Sequence, residues 1–531
     1  MAELSYRIAS ALTPGGTFAA PMLSPSLALA LIAGYFLLLI LIAVVTSRRA
    51  TSESFFVANR AAPWPMVAFA MIGTSLSGVT FVSVPGAVKS GGWSYLAVVL
   101  GYLVGYVVIG TVLMPIYYRL RLTSIYTYLE QRFGFWSYKT GAGLFLVSRT
   151  VGAAFRLFLV AGVLQQVVFN ALGVPFWLTV TVAIGLIFAY TFKGGLRTIL
   201  WTDTFQTAAM LVCVAVSIWL IAQALDVPNL GALWQKVRAS EMSRIYFDDV
   251  RDDRFFWKQF VAGAFITIVM TGLDQDLMQK NLACRSLQDA QKNMAGFALT
   301  LVVVNVLFLT LGVLLYLFAE SKGVTLPLNA KGLVDGDKVF PLLATQHFSL
   351  AAAVVFLLGI VAVTYASADS ALTALTTSYC VDFLDIQNRY RGDEARQTRI
   401  RRWVHLAFAG LLVVVILIFE RLNDQSVINA VFKAAGYTYG PLLGLFAFGI
   451  LTRRGFAARR EALVPVACAV APVLTWVLNA NSEAWFGGYK FGFEILLVNG
   501  ALTFLGLALI GERATPSHPK RLHDVTANIT R

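Results

Sequence analysis

Apolar runs long enough to cross a lipid bilayer recur along the chain from about residue 23 to residue 511. A helix needs roughly 20 apolar residues to span the hydrocarbon core. Of the 531 residues, 58% are hydrophobic and only 13% are charged, whereas soluble domains carry about 25% charged residues. The sequence therefore predicts an all-α polytopic membrane protein and excludes a soluble enzyme.

The hydropathy pattern predicts about thirteen transmembrane helices. They run over 23–45, 62–87, 93–118, 140–170, 175–192, 199–222, 256–279, 294–319, 349–383, 403–420, 426–452, 462–480 and 491–511. We divide the chain into an extra N-terminal helix with its loop (1–61), a first five-helix repeat (62–222), an extracellular loop (223–255), a second repeat (256–452), two C-terminal helices (453–511) and a cytoplasmic tail (512–531).

Basic residues lie mainly in alternate connections between the predicted helices. Most of the 42 Lys and Arg residues fall in 46–61, 119–139, 193–198, 280–293, 384–402, 453–460 and the tail. The positive-inside rule then predicts a plasma (inner) membrane protein with an extracellular N-terminus and a cytoplasmic C-terminus. The net charge of +14 is thus explained by topology, and we expect no nucleic-acid partner.

Two predicted helices contain stretches that are unusual at membrane depth. The second carries the small, hydroxyl-rich run 73–80, and the seventh carries the run 271–276 with two carboxylates. Each is the first helix of one five-helix set. Interrupted helices at matching positions of two halves indicate an inverted repeat with ion and solute sites at the breaks. Close helix packing through glycine is the alternative for either stretch alone.

Several ionisable side chains lie inside the predicted helices, where each costs about 2.5–3.5 kcal/mol on insertion scales. They are Asp203, Asp274, Asp276, Asp369, Arg149, Arg156 and Lys433. Asp203 is either a helix N-cap or a buried functional acid. Arg149 and Arg156 share one helical face and either pair internally or bind a carboxylate of the solute.

The ninth predicted helix presents a stripe of hydroxyl side chains. Thr364, Ser367, Ser370 and Thr373 recur every three residues, with Asp369 among them. Such hydroxyls often bond to carbonyls of their own helix. Four in register beside an acid also fit the oxygen ligands of a hard cation such as sodium. The four cysteines have no metal-site spacing, so we expect sodium to be the only metal.

Five ordered motifs resemble the signature of the sodium:solute symporter family. They are Ser77-Gly78-Val79-Thr80-Phe81 with Pro85-Gly86; Tyr128-Leu129-Glu130-x-Arg132-Phe133-Gly134; Gly194-Gly195-Leu196-Arg197-x-x-x-Trp201-Thr202-Asp203-x-x-Gln206; Asp274-Gln275-x-x-x-Gln279-Lys280; and Tyr439-Gly440-Pro441-Leu442-Leu443-Gly444. The resemblance implies a LeuT-type 5+5 inverted repeat that works by alternating access. It also implies a secondary transporter with sodium as coupling ion and no other cofactor.

The resemblance further implies two ion sites. The first would use backbone oxygens of Gly73, Leu76 and Val363 with the Ser367 hydroxyl, although Ala366 replaces a hydroxyl that family members carry. The second, present in some members, would use Asp203, Asp369 and Ser370, where Asp369 replaces a neutral ligand. We hypothesise that the carboxylate of Asp369 compensates for the hydroxyl that is missing at residue 366.

Solute-binding positions similar to those of the family fall at Ser75, Ser77, Thr80, Asp274 and Gln275. Arg149 and Arg156 lie one turn either side of the arginine that binds a carboxylate in sialic-acid members. We therefore expect a small polar solute, carboxylate-bearing as in a sugar acid. The alternatives are a proton-coupled symporter and a membrane solute sensor; only residues 512–531 follow the last helix, which disfavours a signalling domain. The sequence does not address the oligomeric state.

Overall fold

The computed structural model describes residues 24–48, 51–192, 195–329, 331–422 and 427–513. The predictions for the N-terminal segment, for Gly194 of the family motif and for most of the tail lie outside these residues. Most of the described chain is helical. Its strands are two short antiparallel segments, Arg454–Gly455 and Glu512–Arg513. The predicted all-α class is confirmed.

Thirteen helical segments of the described chain fall at the predicted membrane spans, and we number them in chain order. They are α1 (Pro25–Thr46), α2 (Trp64–Ser75 with Gly78–Gly91), α3 (Ser94–Arg119), α4 (Phe135–Leu172), α5 (Phe176–Thr191), α6 (Gly195–Ala224), α7 (Phe256–Gly272 with Gln275–Leu282), α8 (Leu287–Ser321), α9 (Leu350–Phe383), α10 (Glu394–Leu422), α11 (Val427–Thr438 with Gly440–Leu451), α12 (Ala458–Ala480) and α13 (Ile495–Ile510). Eleven are long and apolar enough to span a bilayer if each bent pair is one span, and α5 and α13 are shorter apolar helices.

Short helices connect these spans on both faces of the bundle. They are Ser52–Val57, Thr127–Arg132, Leu230–Arg238, Gly336–Gln346, Ile386–Arg389 and Ser482–Trp485, with 3₁₀ turns at Ala58–Arg60, Asn170–Leu172 and Glu241–Ser243. Single π-helical turns occur within four spans, at Ile109–Leu113, Gln165–Phe169, Ile268–Gly272 and Tyr379–Phe383. Such turns widen a helix locally and often accompany functional sites.

Two of the bent spans are the interrupted helices that the sequence predicts. The halves of α2 meet at 57° and those of α7 at 64°, so both breaks are confirmed. The sequence did not predict the third bend, of 44° in α11. There the second half begins with Gly440-Pro441, and a proline in the first helical turn needs no backbone N–H partner. A new helix therefore starts after Tyr439.

Close glycine contacts bring α3 against the first half of α7. A Cβ placed on Gly101 would collide with the carbonyl of Phe260, and one on Gly263 would collide with the carbonyl of Val98. Small residues let helix backbones approach within a membrane, where dispersion and backbone contacts drive association. This contact positions α7 beside the break in α2.

The end of α7 differs from the prediction. The sequence suggested a polar cytoplasmic connection starting at residue 280, but α7 continues through Leu282 and all eight residues of its second half are buried. Lys280 has a relative exposure of 0%. The polar sequence of this half-helix resembles that of a loop, but its side chains find partners within the protein. Hydropathy alone does not reveal these partners.

Candidate ion and solute site

The break in α2 opens a short stretch of extended backbone at the centre of the bundle. Leu76 and Ser77 have φ/ψ values of −84°/100° and −93°/176°, and no side chain caps the second half-helix. Gly78 at its start has no room for a side chain, because a Cβ there would collide with Val160 and lie 3.2 Å from Thr364 Oγ1. Helix ends exposed in this way bind ions and charged solute groups.

A cavity lies against this break. Its polar wall consists of Thr74, Ser75, Ser77, Thr80, Tyr95, Tyr102, Tyr106, Arg149, Arg156, Thr267, Thr271 and Asn305, and its apolar wall of Leu76, Val79, Ile266, Met270, Leu277, Leu301, Ile428, Val431 and Phe432. Small-molecule sites have this combination of apolar surface and few placed polar groups. Tyr95 and Ile428 also line a wider vestibule that reaches Asp252 and Arg254 in the loop before α7.

The two arginines of α4 differ in their environment although both line the cavity. Arg149 is 3% exposed and its guanidinium forms an ion pair with Asp276 in the second half of α7. Arg156, seven residues further along α4, is partly exposed, and no hydrogen bond or ion pair joins it to the described part of the chain. The structure thus places Arg149 in an internal pair and leaves the Arg156 guanidinium available at the cavity.

Asp274 and Gln275 do not belong to the described cavity wall. Asp274 caps the second half of α7 by accepting from the Asp276 N–H at 2.9 Å, and its other oxygen accepts from the Tyr439 hydroxyl. The Gln275 amide accepts from the Ile125 N–H at 3.0 Å and donates to the Thr123 carbonyl at 2.8 Å. Both side chains therefore bind neighbouring protein segments rather than face the cavity.

Tyrosines satisfy the carbonyls at the break in α7. The Tyr117 hydroxyl donates to the Gly272 carbonyl and the Tyr126 hydroxyl donates to the Leu273 carbonyl, both at 3.0 Å. A buried carbonyl without a donor is costly, so these bonds stabilise the break. These hydrogen bonds also use the carbonyl oxygens of Gly272 and Leu273, which the sequence alone would leave available to an ion or solute.

The residues expected at the first sodium site lie on facing segments of α2 and α9. Gly73 approaches so closely that a Cβ on it would lie 3.5 Å from the Ala366 methyl and collide with the Thr207 hydroxyl. Leu76, Val363 and Ser367 are all buried. The Ser367 hydroxyl donates to the Thr364 carbonyl at 3.0 Å, which leaves its oxygen lone pairs for a further partner.

The three side chains expected at a second sodium site each have a different protein partner. Asp203 accepts from the Thr74 hydroxyl at 3.0 Å and forms an ion pair with Lys280. Asp369 accepts from the Tyr190 hydroxyl at 2.8 Å. Ser370 donates to Asp276. The alternative that Asp203 caps its helix is wrong, because α6 begins eight residues earlier, at Gly195.

The sequence did not assign a role to two side chains that organise this region. Asp276 was recognised only as a buried acid, and Lys280 only as part of a family motif. The signal was their spacing: positions 276 and 280 are one helical turn apart and share a face. The tyrosines of α3 at the cavity (Tyr95, Tyr102 and Tyr106) gave no distinguishable signal, since aromatic residues are common throughout this sequence.

The chain is similar to known sodium-coupled transporters. The sequence profile of the sodium:solute symporter family matches residues 55–462, which is most of the chain. A sodium/sialic acid symporter of Aliivibrio fischeri is 25% identical over 471 residues, covering 86% of this chain and 88% of that protein. The human sodium/iodide cotransporter is 26% identical over 408 residues, covering 75% of this chain and 61% of the human protein.

Solved structures share the fold. The substrate-bound outward-open structure of a Na⁺-coupled sialic acid symporter superposes with a TM-score of 0.76 at 18% identity, covering 92% of this chain and 99% of that one. The fold is thus of the LeuT type, as predicted. The family and these relatives are membrane transporters that use sodium as coupling ion, so the chain is a multi-pass transporter rather than an enzyme. This protein belongs to the sodium:solute symporter family.

Proposed function

We propose that this protein takes up a small polar solute that bears a carboxylate, such as a sugar acid, by alternating access. Sodium moving inward through the plasma membrane drives the uptake. The observation that carries the substrate class is Arg156, whose guanidinium lines the cavity without a protein partner in the described residues. A guanidinium matches a carboxylate in shape and binds it through two hydrogen bonds.

The remainder of the cavity suits the polar part of such a solute. The hydroxyls of Ser75, Ser77 and Thr80 come from the break in α2, and Asn305 adds an amide from α8. The tyrosines of α3 supply both ring surface and hydroxyl groups. The names of two groups of relatives, sialic acid symporters and sodium-coupled monocarboxylate transporters, are consistent with a carboxylate.

For sodium, we propose the site between α2 and α9. Its ligands would be the backbone oxygens of Gly73, Leu76 and Val363 and the hydroxyl of Ser367. Neutral oxygens of this kind suit a hard monovalent cation, and the first break offers them next to the solute cavity. One sodium ion that crosses 100 mV contributes about 2.3 kcal/mol, which corresponds to roughly fifty-fold solute accumulation.

The proposed orientation has the N-terminus outside and the C-terminus in the cytoplasm. The vestibule above the solute cavity would then open outward. Its support is the distribution of basic residues, and labelling of single introduced cysteines at residues 228 and 392 from each side of the membrane tests it. We expect a membrane-impermeant reagent to reach position 228 from outside and position 392 only from inside.

Ligand-induced thermal stabilisation of the purified protein tests the substrate class. We would screen sugar acids, short monocarboxylates and matched neutral sugars, each with sodium chloride or choline chloride. A ligand stabilises the folded protein by an amount that grows with the logarithm of its concentration relative to its Kd. An acid should stabilise the protein in the presence of sodium. Thermal stabilisation that does not require sodium, together with uptake that depends on a pH gradient, would favour proton coupling instead.

Arg156→Gln should weaken binding of the acid at least about tenfold, since each charged hydrogen bond contributes about 1.5–3 kcal/mol. Arg238→Gln, at an exposed position of the loop before α7, is the matched control and should bind normally. Equal loss of acid and neutral ligands in Arg156→Gln would contradict a direct contact with the carboxylate.

A further inference from the structure

The ammonium group of Lys280 lies at the position where the family resemblance implies a second sodium ion. Lys280 lies in the second half of α7, is fully buried, and contacts both Asp203 of α6 and Thr74 of α2. The Thr74 hydroxyl also donates to the same carboxylate oxygen, at 3.0 Å. Lys280 thus connects its own helix, α7, to α2, both directly through Thr74 and through Asp203.

A lysine ammonium and a sodium ion carry the same charge and seek the same oxygen ligands. The other oxygen of Asp203 has no partner among the described residues, but a sodium ion bound there would share one carboxylate with the ammonium. Two cations at so short a distance repel each other in a medium of low dielectric constant. The lysine is covalently attached, so it does not dissociate when the sodium concentration falls. In addition, Ser370, the expected neutral ligand, donates to Asp276 instead.

We propose that Lys280 is a tethered cation that takes the place of a second sodium ion at Asp203, so that the native protein binds one sodium ion, at the site between α2 and α9. This inference rests on the proposed sodium coupling and specifies its stoichiometry. Thr74, which accepts from Lys280, is adjacent to Gly73 of that site. The fixed charge therefore also holds α2 in place beside the remaining sodium ion.

Counting bound sodium ions tests the proposal without knowledge of the solute. The full-length protein in detergent is titrated with ²²Na⁺ in a scintillation proximity assay, with choline as the replacement cation. We expect about one ion per wild-type protein and about two per Lys280→Gln variant, because the neutral amide frees the Asp203 carboxylate. Lys280→Arg is the matched control that keeps the charge, and it should bind about one ion.

The wild type binding two ions, or a folded Lys280→Gln variant binding one, would overturn the proposal. Asp203→Asn keeps the test decisive if Lys280→Gln does not fold. The native ion does not use Asp203 in our proposal, so this variant should still bind about one ion, and loss of that ion would overturn it. The proposed ion between α2 and α9 does not use Asp369 either, so Asp369→Asn should likewise keep one ion.

These results separate the two proposals. Sodium binding by none of the proteins would contradict the coupling mechanism itself. One ion in the wild type, lost in Ser367→Ala and unaffected by Lys280→Gln, would support the site between α2 and α9 and reject only the role of Lys280.

Discussion

The breaks of α2 and α7 occupy matching positions in the two repeats, yet the protein uses them differently. At the first break, Leu76 and Ser77 border the cavity, and no side chain of the described residues caps the half-helix that follows. At the second, Asp274 caps the half-helix and tyrosines bind the carbonyls of Gly272 and Leu273. The first break is open to a ligand, whereas the second is closed by the protein.

This difference shows that related topology does not impose equivalent chemistry. The polar side chains after the second break contact five different helices: Asp274 reaches α11, Asp276 reaches α4 and α9, and Lys280 reaches α6 and α2. They hold the bundle together through buried charge pairs. The first break carries hydroxyls and glycines instead, and its hydroxyl side chains line the cavity.

The largest expected effect concerns the ion pair below the second break. Arg149→Met leaves the Asp276 carboxylate buried without its cation and should lower the free energy of unfolding by about 3–5 kcal/mol. Chemical unfolding in detergent measures this change. The double variant Arg149→Met with Asp276→Asn should recover most of the loss, and Arg156→Met should cost far less. Similar losses of unfolding free energy in Arg149→Met and Arg156→Met would contradict the distinction between Arg149, which is paired with Asp276, and Arg156, which has no partner among the described residues.

A smaller effect is expected from a methyl group at the first break. Gly73→Ala places a Cβ against Thr207 and pushes α2 away from α6 and α9, and overpacking of this kind costs about 1–3 kcal/mol. Sodium affinity, read from ²²Na⁺ binding, should fall as well. Gly152→Ala in α4, where a Cβ meets nothing within 4 Å, is the control and should bind sodium normally. Unchanged sodium affinity in Gly73→Ala would argue against this site.

Removing one tyrosine hydroxyl at the second break should have a modest effect. Tyr126→Phe leaves the Leu273 carbonyl without its donor, at a cost of about 1–3 kcal/mol, but should leave sodium binding unchanged. Ser77→Ala at the first break should show the reverse, with weaker solute binding and little change in the unfolding midpoint. If both variants lose stability and neither loses solute binding, the first break has no separate role in binding.

The smallest effect lies outside both breaks, in the vestibule. Hydrogen bonds from Arg254 lower the pKa of the Asp252 carboxyl below its usual range. A lowered pKa in the folded state contributes stability above the unfolded pKa, near pH 4, and this contribution is lost as the pH falls further. Asp252→Asn should therefore lose a little stability at pH 7 and show a weaker acid dependence of its unfolding midpoint. An unchanged pH profile would show that this pair is not formed in solution.

Much of the site follows from local sequence. The breaks at 73–80 and 271–276 were visible because glycine, hydroxyl and carboxylate residues are rare at membrane depth. The cavity position of Ser75, Ser77 and Thr80 follows from their place in the first break. In contrast, Asp274 and Gln275 have the same kind of local signal but bind Tyr439 and the backbone near residue 124, which no local pattern indicates.

The sequence by itself determined that this is a helical membrane transporter, where its spans lie and where two of them break. These properties depend on hydropathy and on residues close together in the chain. Tertiary structure alone decided which charges are paired and which are free. Lys280 and Asp203 are 77 residues apart, and Arg149 and Asp276 are 127 residues apart. In a medium where unpaired charges are expensive, the folded packing of distant helices selects the partners, and it leaves the Arg156 guanidinium at the cavity without a partner among the described residues.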